Sequence, residues 1–299
     1  MLRVEGVSKT YDKIKAVDNL SFEVEDGCIY GLLGINGAGK TTTFRMIVGL
    51  LEPDSGTITL DNKKIDYNET NKIGFLTEDR SLFIKMSVLD QVLFYGNLKG
   101  LDNKTIIRRL DYWLKRLNIE EYKNEKIKNL SKGNQQKIQF ITSIINNPKL
   151  LILDEPFNGL DPFNVETMMN VLKEMAKKGT IVIFSSHRME HVESFCEKLL
   201  ILVKGKKVLD GSLREIKEDF LKKIVHIKGE VDIEKIKAIK GVESLNITSD
   251  DIVVRVSEMS VVDDVFDVIK KGKHIIKFVV EDPSLNEIFI SKVGDYFEE

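Results

Sequence analysis

Residues 31–43 read GLLGINGAGKTTT, and within them Gly34–Thr41 fill the pattern G-x-x-x-x-G-K-[ST]. An apolar run, Cys28–Leu33, precedes this pattern, and a helical pattern, Phe44–Leu51, follows it. A strand, a glycine-rich turn and a helix N-terminus in this order form a phosphate cradle, because a Cβ on the turn would hold its N–H groups away from the anion. The stretch therefore predicts a phosphate-binding turn that carries Asn36, Gly37, Ala38, Gly39, Lys40, Thr41 and Thr42.

The chain as a whole has no strong electrostatic bias. It has 299 residues, with 45 Lys and Arg against 47 Asp and Glu, so no overall field draws it to nucleic acid or acidic lipid. We therefore expect no nucleic-acid partner. Cys28 and Cys196 lie in apolar contexts without a CxxC pair, which favours inert core thiols in a reducing compartment. No apolar run approaches the roughly 18 residues of a membrane span, so a membrane role would need another chain to cross the bilayer.

The first residues of the chain carry strand patterns. Leu2–Val7 and Ser21–Val24 alternate apolar and polar residues, and the polar stretch Lys9–Asn19 is predicted to be the connection between them. Tyr11 lies in this connection. It is either a surface aromatic or, in a nucleotide-binding chain, a ring that stacks on the base. A further short strand is predicted at Lys72–Leu76.

Two carboxylates follow the most apolar strand of the chain. Helical spacing dominates Val88–Asn147, and the apolar run Leu150–Leu153 comes next and ends at Asp154–Glu155. A run that is apolar on both faces fits the buried centre of a parallel sheet, and its carboxyl end lies where α/β sheets bind ligands. The predicted strand Thr180–Phe184 likewise ends shortly before His187.

The composition and the pattern of the sequence change after Gly211. Lysine-rich Arg214–Lys223 is predicted to be a link. Beyond it the patterns follow the order strand, helix, strand, strand, helix, strand, with a last helix at Ser284–Lys292. This βαββαβ order predicts a small ferredoxin-like unit.

The residues around the phosphate turn fit ATP hydrolysis, which needs phosphate binding, a metal, a base and a group that neutralises charge on the γ-phosphate. Lys40 should reach the β- and γ-phosphates, and the Thr41 hydroxyl should ligate Mg²⁺. Asp154 is expected to hold that metal through water, while Glu155 polarises the attacking water. His187 is expected to hydrogen-bond the γ-phosphate.

Five motifs, taken in order, resemble a known family. After GINGAGKTT come LSKGN at 130–134, LLILDEP at 150–156, NGLD at 158–161 and SSHRMEHVE at 185–193. Together they resemble the nucleotide-binding subunit of an ABC transporter. The resemblance implies an α/β fold: a P-loop NTPase domain at residues 1–212 with a mixed sheet core and an inserted helical subdomain at about 82–147, followed by an accessory α+β domain at 213–299.

The resemblance also implies partners and cofactors. Two ATP molecules with Mg²⁺ would be sandwiched in a head-to-tail homodimer or heterodimer. Ser131 and Gly133 would face the γ-phosphate bound by the other copy, and Asp161 would line the shared interface. Such subunits lie on the inner face of the cell membrane through an integral membrane permease. Its coupling helix would dock on Arg80–Met86 and Phe94–Tyr95, for which the alternative is simple packing of the helical subdomain.

Four positions depart from the family's usual pattern. Lys132 and Asn134 replace a second glycine and a glutamine, Glu78 stands where a glutamine usually contacts Mg²⁺, and Ile35 stands where proline is common. A subset of sodium-extrusion-type and drug-export-type subunits shares all but the last, together with a C-terminal phrase like DPSLNEIFI. Because Mg²⁺ prefers oxygen ligands, Glu78 is predicted to be a metal ligand beside Thr41 and Asp154.

The expected function is an ATP-hydrolysing subunit that powers a separate permease, with export as the expected direction. One alternative is a soluble ABC-type ATPase of translation or DNA maintenance. Another is a nucleotide-sensing module with impaired turnover, suggested by Glu78 and Asn134. His187–His191 also fits the zinc pattern H-x-x-E-H, but that pattern needs both histidines on one helix, whereas His187 is expected at a strand end.

Overall fold

The protein is described by a computed structural model that covers residues 1–65, 69–79, 81–248, 251–270 and 273–298. The chain divides into two compact units, Met1–Gly211 and Ser212–Glu299. Among the helices that the model describes, none is both long enough and apolar enough to cross a membrane.

The first unit combines two sheets with helices. Its strands are β1 (Leu2–Tyr11), β2 (Ile14–Val24), β3 (Ile29–Gly34), β4 (Ser55–Leu60), β5 (Lys63–Lys64), β6 (Ile73–Leu76), β7 (Leu150–Leu153), β8 (Ile181–Ser185), β9 (Lys198–Val203) and β10 (Lys206–Ser212). Its helices are α1 (Lys40–Ile47), α2 (Val88–Leu98), α3 (Asn103–Arg116), α4 (Lys132–Ile144), α5 (Pro162–Lys177) and α6 (Met189–Phe195). The strand orders are β2-β1-β4-β5 and β10-β9-β3-β8-β7-β6.

The larger sheet brings distant parts of the chain to one edge. Its strands β9, β3, β8, β7 and β6 pair in parallel, and every residue of β3, β7 and β8 is buried, as their apolar sequences require. Parallel strands end at a common edge. The loops that follow Gly34, Leu76, Leu153 and Ser185 therefore meet there, although they are up to about 150 residues apart in sequence.

The predicted connection Lys9–Asn19 is wrong, because most of it is strand. β1 and β2 form a hairpin that turns at 12–13, where Asp12 adopts φ 52°. The register between these strands shifts at three places, which disrupts the simple alternation that marks a strand in sequence. Tyr11 is therefore the last residue of β1 and not a loop residue.

Helices α2, α3 and α4 are inserted between β6 and β7, as expected. Each begins at a side-chain cap, in which Ser87, Asp102 and Ser131 accept hydrogen bonds from backbone N–H groups of the first turn. The cap at Ser131 starts α4 three residues before the predicted start, Gln135. As a result, Lys132, Gly133 and Asn134 of the LSKGN motif form the first turn of the helix.

A buried tyrosine ties β3 to the last strand of the first unit. The Tyr30 hydroxyl donates a 2.6 Å hydrogen bond to Asp210 Oδ1 on β10, and the Tyr30 ring stacks on Phe22 of β2. Burial, with the neighbouring carboxylate, raises the pKa of Tyr30, so the phenol remains a proton donor. This bond fixes β10 at the edge of the sheet beside β9.

The second unit has the predicted βαββαβ order. Its elements are α7 (Leu213–Asp219), β11 (Lys223–Glu230), α8 (Ile233–Lys237), β12 (Val242–Ile247), β13 (Ile252–Val256), α9 (Met259–Ile269), β14 (Lys273–Glu281) and α10 (Leu285–Glu298). The strands pair antiparallel in the order β12-β13-β11-β14, the arrangement of a ferredoxin-like sheet. The predicted link Arg214–Lys223 is wrong in its first half, because a capping box between Ser212 and Glu215 starts helix α7 there.

Candidate functional site

A cavity of about 460 Å³ lies at the common edge of the parallel strands. It is lined by residues of the phosphate turn, of the β1–β2 hairpin and of the loops after β6 and β7: Tyr11, Ala16, Asn36, Gly37, Ala38, Gly39, Lys40, Thr41, Thr42, Glu78, Asp154 and Glu155. The structure thus brings every phosphate-turn residue predicted from sequence into one cavity with Tyr11 and three carboxylates. Ala16, which the sequence reasoning missed, completes the wall.

The phosphate turn delivers the N-terminus of α1 into this cavity. Gly39 is the N-cap of α1 at φ 106°, no side chain caps the helix, and no acidic residue lies in its first turn. The first-turn N–H groups and the positive end of the helix dipole therefore favour an anion. Lys40 Nζ donates hydrogen bonds to the carbonyl oxygens of Gly34 at 2.8 Å and Ile35 at 3.2 Å, across the turn. Burial lowers the pKa of Lys40, and the facing carboxylates oppose this effect.

The backbone of the turn needs glycine for two different reasons, which gives a matched pair of substitutions. An added Cβ on Gly37, at φ 78°, meets nothing within 4 Å, whereas one on Gly39 lies 2.4 Å from the Ala16 carbonyl oxygen. We expect Gly37→Ala to cost about 1–2 kcal/mol of unfolding free energy from backbone strain alone. Gly39→Ala should cost about 1–3 kcal/mol more, because Ala16 must move.

Urea unfolding of both variants measures this difference. Gly37→Ala is the control for the left-handed backbone, since it adds the same methyl group without a collision. Equal losses in the two variants would contradict the importance of the contact between Gly39 and the β1–β2 hairpin.

Asp154 is held by hydroxyl groups from two sides. The Thr41 hydroxyl donates to Asp154 Oδ2 at 2.9 Å, and the Ser185 hydroxyl donates to Asp154 Oδ1 at 2.6 Å. Ser185 Oγ in turn accepts a 3.0 Å hydrogen bond from the Glu155 backbone N–H. Sequence reasoning missed Ser185 in this role. The available signal was a serine at the end of the strand that pairs with β7.

Glu155 is a mostly buried carboxylate with an unusual backbone. Its φ is 49°, in the left-handed region that non-glycine residues seldom occupy, and its side chain is 11% exposed. His187 Nδ1 lies 2.9 Å from Glu155 Oε2, and the imidazole is itself 63% exposed. Burial raises the pKa of Glu155, while His187 and Lys40 act in the opposite direction. The arrangement places a carboxylate with a raised pKa beside the glycine-rich turn.

Three predicted residues lie apart from the cavity in this chain. Ser131 caps α4 by accepting from the Asn134 N–H at 3.2 Å, and Asp161 caps α5 by accepting from the Asn164 N–H at 2.9 Å. Gly133 lies in the first turn of α4, and a Cβ there would be 3.3 Å from the Gly159 carbonyl oxygen. None of the three is among the residues that line the cavity, and neither is His187, which contacts the lining residue Glu155.

Comparison with known proteins identifies the family. A family model described as "ABC transporter" matches residues 17–158. The uncharacterized ABC transporter ATP-binding protein YhaQ of Bacillus subtilis (strain 168) is 45% identical over 298 residues, and the match covers 100% of this chain and 100% of that protein. The chain belongs to the ABC transporter family.

Further comparisons place the chain more narrowly within the ABC transporter family. A model of the DrrA1-3-like ATP-binding protein C-terminal domain matches residues 211–293, which confirms the expected drug-export-type subgroup. The Nod factor export ATP-binding protein I of Ralstonia nicotianae is 33% identical over 219 residues, covering 72% of this chain and 68% of that protein. A dimeric ATP-binding cassette solved in a post-hydrolysis state with ADP and Pi has a TM-score of 0.67 at 27% identity, covering 72% of this chain and 99% of that one.

These findings confirm the predicted fold and general activity. The protein has the P-loop ATPase fold with an added C-terminal domain that contains an antiparallel sheet. It is an ATP-binding and ATP-hydrolysing subunit of an ABC transporter. The solved cassette with ADP and Pi is dimeric, and another similar structure, cbiO1 from Clostridium perfringens, is part of an ABC transporter complex. The roles predicted for the individual site residues stay predictions.

Proposed function

We propose that the protein binds ATP with Mg²⁺ in the 460 Å³ cavity, hydrolyses it between two copies of the ATPase fold, and powers export through a separate permease. The observation that carries this proposal is the convergence of Lys40, Thr41, Asp154 and Glu155 at one edge of the parallel sheet. A phosphate turn, an oxygen-rich metal position and a candidate base are the parts that phosphoryl transfer to water requires.

In this proposal the phosphates of ATP lie in the glycine-rich turn, and its adenine lies toward the β1–β2 hairpin. Lys40 exchanges its carbonyl partners at Gly34 and Ile35 for the β- and γ-phosphates, aided by the N–H groups at the start of α1. Tyr11 is 44% exposed at the rim of the same cavity, so its ring has a free face on which a base can stack.

The metal position fits Mg²⁺ by its chemistry. Thr41 and Asp154 already share a hydrogen bond at the cavity wall, and Glu78 faces the same space, so the candidate ligands are all oxygen atoms. Thr41, Asp154 and Glu78 would hold the ion, directly or through water. A Mg²⁺ ion held there would neutralise charge on the phosphates, and the chain's own contribution would be to orient these oxygen atoms.

Glu155 is the proposed general base. Its Oε atoms would accept the proton of the attacking water, and the raised pKa caused by burial brings the carboxylate closer to the operating pH. His187 would hold the Oε2 side of this carboxylate and hydrogen-bond the γ-phosphate with its exposed ring. The hydroxyl of Ser185 bonds both the Glu155 N–H and the Asp154 carboxylate, so it would orient the proposed metal ligand relative to the backbone that carries the base.

A second copy, identical or homologous, would complete the site. Ser131 and Gly133 open α4 at the surface, and the N-terminus of this 13-residue helix carries about half a positive charge. Pointing this end at the γ-phosphate of the other copy would stabilise charge there, and Asp161 would line the same interface. This gives a physical reason why these residues lie apart from the cavity of their own chain.

The proposed permease-docking surface is the aromatic cluster of Phe83, Phe94 and Tyr95. Their rings contact one another at centroid distances of 5.3–5.9 Å, while Phe83 and Phe94 stay 45% and 41% exposed. Exposed aromatic clusters of this kind mark protein interfaces. Arg80, the first residue of the predicted docking segment, lies outside the described residues.

Membrane sedimentation of the full-length protein, expressed together with its permease, tests the proposal. We expect the wild type to sediment with membranes and Phe94→Ala to lose about tenfold or more of its membrane-bound fraction, as for removal of an aromatic hot spot. Tyr112→Ala is the matched control, because Tyr112 is an exposed aromatic on α3 of the same subdomain. Co-sedimentation of the wild type with ribosomes or DNA, and not with membranes, would favour the soluble ATPase instead.

A further inference from the structure

Helix α4 carries a buried glutamine that binds the turn after β6. Gln139 is 5% exposed, and its Nε2 donates a 2.9 Å hydrogen bond to the Thr77 carbonyl oxygen. The same nitrogen lies 3.4 Å from the Asp79 carbonyl oxygen. These two carbonyl groups flank Glu78. One amide nitrogen therefore fixes the backbone on both sides of a carboxylate that lines the phosphate cavity.

A second buried glutamine one turn earlier makes the equivalent contact with the other acidic loop. Gln136 Nε2 donates a 2.8 Å hydrogen bond to the carbonyl oxygen of Pro156, the residue after Glu155. Residues three apart share one face of a helix, so this face of α4 holds both acidic loops through primary amides. Gln136 therefore bonds next to Glu155, the proposed general base. Among the described residues, the hydrogen bonds of Gln139 reach only the turn that carries Glu78.

The Gln139 amide is oriented with its nitrogen towards the turn and its oxygen away from it. Gln139 Oε1 is buried and accepts no hydrogen bond from the residues that the structure describes. A flipped amide would place that oxygen against the Thr77 and Asp79 carbonyl oxygens, which are acceptors themselves. Among the described residues, no hydrogen bond or ion pair holds the Glu78 carboxylate, so its position depends on the backbone of this turn.

We infer that Gln139 is a positioning residue that holds the Thr77–Asp79 turn so that Glu78 faces the bound metal–nucleotide. The inference rests on the metal-ligand role given to Glu78 under Proposed function. Glu78 repels the phosphates of metal-free nucleotide and binds the ion of the metal-loaded one. It therefore makes nucleotide affinity depend on divalent metal, and Gln139 sets the strength of that dependence.

The experiment compares nucleotide affinity with and without metal in the full-length protein. Calorimetry would give the dissociation constant of the β,γ-imido analogue of ATP in Mn²⁺ and in EDTA. The value in EDTA divided by the value in Mn²⁺ is the metal dependence. We expect Glu78→Gln to lower this ratio about tenfold or more, as for loss of an oriented metal ligand. Gln139→Met should lower it in the same direction, and the double variant should match Glu78→Gln.

A control variant and a second substitution make the result decisive. Thr142 lies one turn later on α4, and among the described residues its hydroxyl donates only to the Ile138 carbonyl of its own helix, so Thr142→Val should keep the wild-type ratio. If Gln139→Met does not fold, Thr77→Val loosens the same turn, because it removes the 2.6 Å bond from Thr77 Oγ1 to the Asp79 carbonyl oxygen. The electron paramagnetic resonance spectrum of bound Mn²⁺ should change alike in the Glu78 and Gln139 variants.

The results for the two variants distinguish a failure of the Gln139 role from a failure of the Glu78 role. If Glu78→Gln lowers the ratio while Gln139→Met leaves it unchanged, or if the two effects add in the double variant, the role of Gln139 is overturned and the proposed function stands. A wild-type ratio in Glu78→Gln would contradict the ligand role of Glu78 itself, and the inference with it.

Discussion

Replacing Glu155 with glutamine is expected to lower ATP hydrolysis by about 10²–10⁴-fold, the usual contribution of a general base, while ATP binding persists. Glutamine keeps the size of the side chain but cannot accept the proton of water. The substitution also removes a negative charge from beside the phosphates, so ATP-bound dimers should accumulate. The left-handed backbone at Glu155 is unchanged by the replacement, so stability should change little.

Phosphate release and the mass of the ATP-bound species by light scattering measure these two effects. Glu52→Gln is the matched control, because Glu52 is an exposed glutamate away from the cavity and its carboxylate takes no part in the site. Hydrolysis at the wild-type rate in Glu155→Gln would show that another group takes the proton.

Replacing Lys40 with methionine is expected to weaken ATP binding by about 100-fold, since charge-assisted hydrogen bonds to phosphate contribute about 1.5–3 kcal/mol each. Lys40 is the cation that faces the cavity from the phosphate turn, and methionine fills a similar volume without charge. Isothermal titration with ATP and Mg²⁺ measures the change.

Lys99→Met provides a matched control for the loss of a buried lysine. Burial lowers the pKa of Lys99 as it does that of Lys40, and Lys99 Nζ also donates to a backbone carbonyl, that of Thr70 at 2.6 Å. Lys99 does not line the phosphate cavity. We therefore expect Lys99→Met to lower stability and to bind ATP normally. Equal loss of ATP affinity in both variants would mean that the phosphate role of Lys40 is wrong.

The parts of the site that could be predicted from sequence are those encoded by local patterns. The turn Gly34–Thr41 needs glycines and a lysine at fixed spacing, and the pair Asp154–Glu155 directly follows an apolar strand. Each signal lies within about ten residues, because it depends on residues that are close together in the sequence. Their convergence then follows from the rule that parallel strands end at one edge of a sheet.

The contacts that sequence did not predict all join segments that are distant in the chain. Ser185 reaches Asp154 across the pairing of β8 with β7, and Gln139 reaches Thr77 from a helix more than 60 residues later. A serine or glutamine has many roles, and only the folded chain shows which carbonyl or carboxylate it meets. The far half of the β1–β2 hairpin, Lys9–Asn19, reads as a connection in the sequence for a related reason, because register shifts break the two-residue period on which strand prediction depends.

The hydrogen bond from Tyr30 to Asp210, within the first unit, limits where the chain can be cut to remove the second unit. A chain cut ahead of β10 would leave a phenol of the core without its acceptor and would turn β9 into an open sheet edge, which invites aggregation. Loss of dimers in such a fragment would report damage to the ATPase fold, and would be misassigned to the missing C-terminal half. A truncation that ends at Ser212 keeps both partners of this bond, so it can test what the second unit contributes.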